Sequence, residues 1–245
     1  MKLQVLFFLL LVGTTAMAQD RDDQRQAVRR MKHRPSLAIG AQAVQPIGDF
    51  ATQYKGTPLG LSANIGIPIH RLGLEVVPQF SWNSMGTFNK DITVNSGVNA
   101  QGDTLYNPGT YRLRNNDYRY EAGLRFKPFD GAIQPYAEGI LGFETFKTQT
   151  DISVTNQGGF STVQDAQVQN KSTTLLAGYG LGLRFRLNRG RNMFFDIRYQ
   201  RIAGAKAKYI LPESVYVDSK NELQYSTANT YTNRELLQIG ISFRF

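Results

Sequence analysis

Hydrolytic or group-transfer chemistry needs a histidine held beside a serine or a carboxylate. This chain of 245 residues has two histidines, His33 and His70. His33 lies in a stretch dense in charge. His70 lies in the turn-like segment Pro68-Ile69-His70-Arg71 and reads as a solvated turn residue. Neither is placed for acid–base work, and no His–carboxylate cluster has metal-ligand spacing. There is no cysteine, which excludes a disulfide framework, thiolate metal sites and a lipid anchor on sulfur. Gly178-x-Gly180-x-Gly182 has a period of two, whereas a phosphate loop needs a strand-to-helix turn; these glycines leave room for bulky neighbours. The sequence therefore predicts no enzyme, no cofactor and no metal. What remains is a set of charges that recur at every second position, and such charges share one face of a strand.

The elements that carry them alternate in the same way. Residues 59–67 put Leu59, Leu61, Ala63, Ile65 and Ile67 on one face and Gly60, Ser62, Asn64 and Gly66 on the other. Residues 118–127 alternate Tyr118, Tyr120, Ala122, Leu124 and Phe126 with Arg119, Glu121, Gly123, Arg125 and Lys127. Residues 175–187 set Leu175, Ala177, Tyr179, Leu181, Leu183, Phe185 and Leu187 against glycines and Arg184 and Arg186. A sheet buried on both faces does not tolerate a charge at alternate positions. A sheet with lipid on one face and a polar interior on the other expects it.

Weaker strands at 36–45, 72–82, 134–146, 193–202 and 232–245 bring the number to eight. Beyond residue 18 there is no apolar run of even ten residues, so a spanning helix is excluded and a closed ring of strands remains. The fold class predicted is all-β: a transmembrane up-and-down antiparallel β-barrel of about eight strands. Connections alternate between tight turns near 68–71, 128–131 and 188–191 and long polar loops over roughly 46–57, 83–117, 147–172 and 203–230. Pro78, inside the third strand, removes a ladder hydrogen bond and predicts a local bulge there; Pro135 raises the same question in the fifth strand.

Residues 1–18 carry Lys2, an apolar core from Leu3 to Val12 and Ala16-Met17-Ala18 before Gln19. That is the order of a cleaved export signal, and its apolar core is too short to span a bilayer. Residues 19–34 form a charged periplasmic tail, in which Arg29, Arg30, Lys32 and Arg34 offer a docking patch or a solvated segment. The barrel takes residues 35–245. The net charge of +9 is spread over tail, strand faces and turns, so nucleic acid is not the expected partner.

The inward charges are Glu75, Arg119, Glu121, Arg125, Glu138, Glu144, Arg184, Arg186, Asp196, Arg198 and Arg244. They either line a narrow ion path or pair across the lumen and plug it. An eight-strand interior is only wide enough to be filled by side chains, which favours the plug. The long loops hold Asn, Ser, Thr, Gly, Asp and Tyr, a composition suited to surface recognition or adhesion, or simply to solvation.

The last eight residues, Gln238-Ile239-Gly240-Ile241-Ser242-Phe243-Arg244-Phe245, resemble the C-terminal signal of outer-membrane barrels. The resemblance makes Gln238, Gly240, Phe243 and Phe245 an assembly signal read by the barrel-assembly machinery. The segments Gln45-Pro46-Ile47-Gly48-Asp49-Phe50-Ala51, Gln134-Pro135-Tyr136-Ala137-Glu138-Gly139 and Ile197-Arg198-Tyr199 are similar to the outer-membrane β-barrel family of Bacteroidota, porin-like or akin to the OmpA transmembrane domain. The resemblance spans about 35–245 and implies the bacterial outer membrane, with lipid, lipopolysaccharide and envelope proteins as partners. It leaves two functions open: a structural, accessory or surface-recognition barrel, and a narrow porin-like channel for ions or small solutes.

Overall fold

A computed structural model describes residues 34–70, 73–98, 104–129, 131–155, 161–187, 192–211, 214, 216–217 and 223–245. The expected export signal and most of the expected tail (residues 1–33), Leu72 at the start of the expected third strand, and residues 71, 130 and 188–191 of the expected turns lie outside these. Eight antiparallel strands close into one ring: β1 (Ser36–Pro46), β2 (Leu59–His70), β3 (Leu74–Val98), β4 (Thr104–Phe126), β5 (Ile133–Thr155), β6 (Ser161–Arg186), β7 (Met193–Gly204) and β12 (Arg234–Arg244). Each strand pairs with its sequence neighbours, and β12 closes on β1 through pairs from Ser36↔Arg244 to Pro46↔Arg234. Closure gives every spanning strand a partner on both sides, which is what a sheet in oil requires.

The period-two pattern fixes which face is which. Leu61, Leu141, Leu175, Leu181 and Leu237 are exposed on the outside. Their alternating neighbours, among them Asn64, Arg119, Arg125 and Arg184, are buried within. A slip of one residue would exchange the two sets, so the register is held by the whole outer surface. Among the described residues no helix is long and apolar enough to cross a membrane.

Two sequence expectations are corrected. First, stretches 83–117 and 147–172 are not mainly loop. The β3–β4 ladder runs on to Val98↔Thr104 and the β5–β6 ladder to Thr155↔Ser161, so two long hairpins stand beyond the barrel. Their sequences are polar because neither face there meets lipid, which erases the alternation that marks the lower strands. The β3–β4 hairpin leaves the barrel at a register shift between Ser84 and Gly86, and Gly86 has the positive φ of 126° that a glycine takes without strain.

Second, there is no bulge at Pro78. Asn64↔Gln79 and Ile67↔Val76 share one register on the β2 side, and Pro78↔Ala122 is in register on the β4 side. The missing amide leaves a gap in the β2–β3 ladder without shifting it, and the one irregularity of that pair lies at Pro68/His70. Pro135 is also in register, opposite Leu183, at a point below the first β4–β5 pair, Phe126↔Ala137.

The remaining long connections are also structured. Helix α1 (Asp49–Gln53) follows β1, and β8 (Lys206–Ile210) pairs with β11 (Thr227–Tyr231) after β7. The two-residue strands β9 (Tyr216–Val217) and β10 (Leu223–Gln224) form a small ribbon beyond them.

Candidate functional site: a charged interior beneath an aromatic cap

Near the short-turn end, Glu138 on β5 collects two guanidiniums. Arg125 donates from Nε and Nη2 to Glu138 Oε2 at 2.9 and 2.8 Å. Arg198 Nη1 and Gln200 Nε2 donate to Oε1 at 3.0 and 3.1 Å. Beside this group Asp196 accepts from Tyr136 Oη at 2.6 Å and from Arg184 Nε at 2.8 Å. The Tyr136 ring carries the Arg125 guanidinium 4.3 Å from its centre. Glu75 pairs with Lys127, and Arg244 stands over the Phe194 ring at 5.0 Å.

The glycines of β6 make this packing possible. A methyl group on Gly182 would lie 2.2 Å from Tyr136 Cζ, and one on Gly180 would lie 2.8 Å from Glu138 Oε1. Small residues on one strand thus give space to long ones on the next.

Higher in the barrel, one wall of the interior turns apolar with Val44, Ile140, Leu176, Ile202 and Leu236. Across from it the polar chain continues: Gln79 Nε2 donates to Glu121 at 2.9 Å, and Arg119 bonds both Glu121 and Gln42 at 2.9 and 3.0 Å. Gln42 passes the chain to Asn83 at 2.6 Å, and Asn83 to Asp117 at 3.0 Å. Arg234 then closes it, donating from Nη1 to Asp117 at 2.6 Å and pairing with Glu144, which also accepts from Thr232. Arg119, Arg125 and Arg234 are at most 1% exposed, and each faces carboxylates, as buried charges must.

Above Arg234 lies the cap. Helix α1 drives Phe50 into the mouth, where it is fully buried. Its ring meets Tyr54, Phe146 and Tyr209 with centres 5.8, 6.2 and 5.4 Å apart, and Met85, Ala207 and Ala228 fill in around them. The Arg234 guanidinium lies 5.3 Å from the Phe50 ring and 5.5 Å from that of Phe146, so cap and charge network touch. Tyr54 donates its hydroxyl to the Met85 carbonyl, and burial pushes its pKa up to about 12.

The β8–β11 ribbon is held over the mouth by Asn115, which donates to the Ile210 carbonyl at 3.1 Å and accepts from Thr148 at 2.6 Å. Ile210 also packs with Tyr111 and Leu113. On the outer side of the cap a recess of ≈310 Å³ is lined by Gln53, Tyr54, Lys55, Gly56, Met85, Leu211 and Ser214.

Of the charges singled out in the sequence, Glu75, Arg119, Glu121, Arg125, Glu138, Glu144, Arg184, Asp196, Arg198 and Arg244 are buried inside the ring. Arg186 is half-buried at the short-turn rim, donating to the Gly131 carbonyl at 2.7 Å. Gln238 is buried and accepts from Arg198 at 3.1 Å, while Phe243 and Phe245 are exposed on the outside. Sequence reasoning missed Asp117, Arg234 and the aromatic cap. Arg234 shares its parity with Gln238, Gly240 and Arg244, a signal masked by Leu236 between them. Among the described residues, no three His, Cys, Asp or Glu side chains are grouped to hold a metal ion.

A family model described as outer membrane protein beta-barrel domain matches residues 6–245. No curated protein matches the chain. Three solved barrels are similar in fold. Neisserial surface protein A is 15% identical, with 86% of this chain and 97% of that one covered at a TM-score of 0.44. OprG from Pseudomonas aeruginosa is 14% identical, with 87% and 96% covered at 0.45. Ail, the attachment invasion locus protein of Yersinia pestis, is 17% identical, with 88% and 100% covered at 0.41.

Proposed function

This chain belongs to the outer-membrane β-barrel protein family, and from that premise we propose that it is a sealed barrel whose lumen is structural and whose work is done outside the membrane. The short turns face the periplasm and the long hairpins face the exterior, as in barrels of this kind. The charged side chains of the interior serve as a plug. Surface recognition or an accessory role in the envelope falls to the two hairpins, the cap and its recess.

One observation carries this reading: Arg234, bridging Asp117 and Glu144, lies directly beneath the fully buried Phe50. An ion path would have to pass both a compensated guanidinium and an aromatic cluster that excludes water. We further propose that residues 1–18 direct export and that Gln238, Gly240, Phe243 and Phe245 guide assembly. The chemistry offered by the described residues is that of pairing and packing, without turnover.

Planar-bilayer recording of the purified protein tests the reading. The expected trace has no stable single-channel steps. Reproducible steps in the unmodified protein would establish the narrow-channel function in its place.

A further inference from the structure

We propose that the recess on the outer side of the cap binds a small carboxylic acid with an apolar body, whose carboxylate is taken by Lys55 and Gln53. The inference rests on the reading that recognition falls to the exterior of a sealed barrel, and it names a ligand class for one exterior site.

Three separate stretches of chain wall the recess, and hydrogen bonds hold each in place. Tyr54, just after helix α1, donates its hydroxyl to the Met85 carbonyl on β3, which ties two walls together. The third wall, Leu211 to Ser214, is pinned by its own bonds. The Ser214 amide and hydroxyl both donate to the Leu211 carbonyl, at 3.1 and 2.8 Å, and the Ser226 amide donates to Ser214 Oγ at 2.9 Å. Leu211 also packs against the cluster that contains Tyr54 and Met85. Gly56 lies against the Tyr54 ring, where a methyl group would come within 2.9 Å of Oη, so the lip there is bare backbone. A concavity fixed in this way exists before a ligand arrives, and binding need not order it. Its ≈310 Å³ lies at the small end of ligand pockets.

The lining divides by chemistry, and the division says what fits. Tyr54, Met85 and Leu211 give an apolar floor that belongs to the cap. Gln53 and Lys55 flank Tyr54 in sequence and stand exposed at the rim. The Ser214 hydroxyl is already engaged within its own wall. Among the described residues no carboxylate pairs with Lys55, and the Gln53 amide has no side-chain partner. The rim thus offers one ammonium and one amide donor above an apolar surface. Two donors match the two oxygens of a carboxylate. A phosphate would bring more negative charge than one lysine offsets. An amine would meet Lys55 with like charge, and a neutral molecule would leave it without a counter-ion. An inorganic anion would leave the floor unused, so the acid must carry an apolar body.

The test compares the unmodified protein with Lys55→Gln and Lys55→Arg. Both replace one exposed side chain, and heat-modifiable gel migration verifies the same ring of strands. The probe is para-fluorophenylpropionate, followed by fluorine NMR on the protein in lipid nanodiscs, with empty nanodiscs as the baseline. Its uncharged amide and acetate are the reference compounds. The expected result is saturable binding of the acid, about three- to tenfold weaker with Lys55→Gln. Lys55→Arg should retain it, the amide should bind more weakly, and acetate should not compete.

No saturable signal above the empty nanodiscs overturns the proposal. So does equal affinity for acid and amide, or equal affinity of the unmodified protein and Lys55→Gln. Loss of binding with Lys55→Arg as well as Lys55→Gln would trace the effect to shape instead of charge, and competition by acetate would leave a bare anion site; either result overturns it. Binding at the recess and conductance through the lumen are measured apart, so failure here and failure of the sealed-barrel reading are separate results.

Discussion

Glu138 and Phe50 occupy one continuous enclosed space, yet the chain keeps water from them by opposite means. Around Glu138 the side chains that reach its oxygens are polar, and exclusion depends on pairing: Arg125, Arg198 and Gln200 satisfy both oxygens. Around Phe50 the neighbours are Tyr54, Phe146, Tyr209 and Met85, and exclusion depends on packing. The difference follows from how each region is built. The interior is walled by strands whose outer faces are already committed to lipid, so only the inner parity is free to vary, and eight strands leave no room for anything but side chains. The cap is made from connections, where helix α1 and the β8–β11 ribbon can bring whole apolar faces together. Paired charge is unforgiving of a lost partner, whereas packed rings lose stability in proportion to what is removed.

Breaking one partner of the paired region gives the largest effect. Glu138→Ala leaves two buried guanidiniums without their carboxylate and is expected to lower stability by about 3–5 kcal/mol. Urea unfolding in lipid vesicles, followed by heat-modifiable migration, measures it. A milder change when Arg125→Met is added to Glu138→Leu would show that the cost lies in the orphaned charge. Phe50→Ala is the matched test of the packed region. Truncating a buried ring costs about 3 kcal/mol where neighbours cannot collapse, and here the loss is confined to the mouth. Global unfolding should shift less than with Glu138→Ala, while protease access to residues 49–54 rises and brief conductance events appear.

Gly182→Ala sharpens the comparison from inside the polar network. The added carbon would sit 2.2 Å from Tyr136 Cζ, forcing the ring off Asp196 and out from under Arg125, for about 1–3 kcal/mol. Tyr54 supplies the smaller counterpart in the cap. Its raised pKa means that its contribution is complete below pH 10 and is lost as pH climbs through about 12. Tyr54→Phe should cost about 1 kcal/mol at neutral pH and abolish the alkaline loosening of the cap, read as protease cleavage against pH.

The lower barrel was legible because its two faces see different media. Leu175 through Leu187 alternate with glycine and arginine, and that alone places β6, its outward parity and the space opposite Tyr136. The upper hairpins were not legible, since Thr87 and Asn89 are exposed while Thr148 is buried through its bond to Asn115, so both faces carry polar residues and period two gives no signal. Phe50 lies in a segment whose family likeness was visible, but a lone phenylalanine after Gly48-Asp49 does not reveal that it meets Phe146 and Tyr209 from two distant strands. Asp117 escaped because it lies mid-strand in β4 at the last residue of a stretch that reads as loop, and Arg234 because Leu236 interrupts the polar parity it shares with Gln238.

The smallest expected effect decides what the largest one means. Arg201 and Glu235 are register partners on β7 and β12, with Nη1 and Oε1 3.7 Å apart, and both are on the outward face with 53% and 34% of their side chains exposed. They have the residue types of the Arg125–Glu138 pair on the same kind of antiparallel ladder, and they differ in exposure. The pair stands at the upper ends of β7 and β12, three residues before Gly204 and one after Arg234, where water and headgroups solvate either partner when the other is removed. Arg201→Ala should therefore change stability by no more than about 0.5 kcal/mol, and less in high salt. The same urea titration in vesicles measures it. If Arg201→Ala proved as damaging as Glu138→Ala, an ion pair would matter to this barrel wherever it stood, and desolvation inside the ring would lose its claim to be the cause.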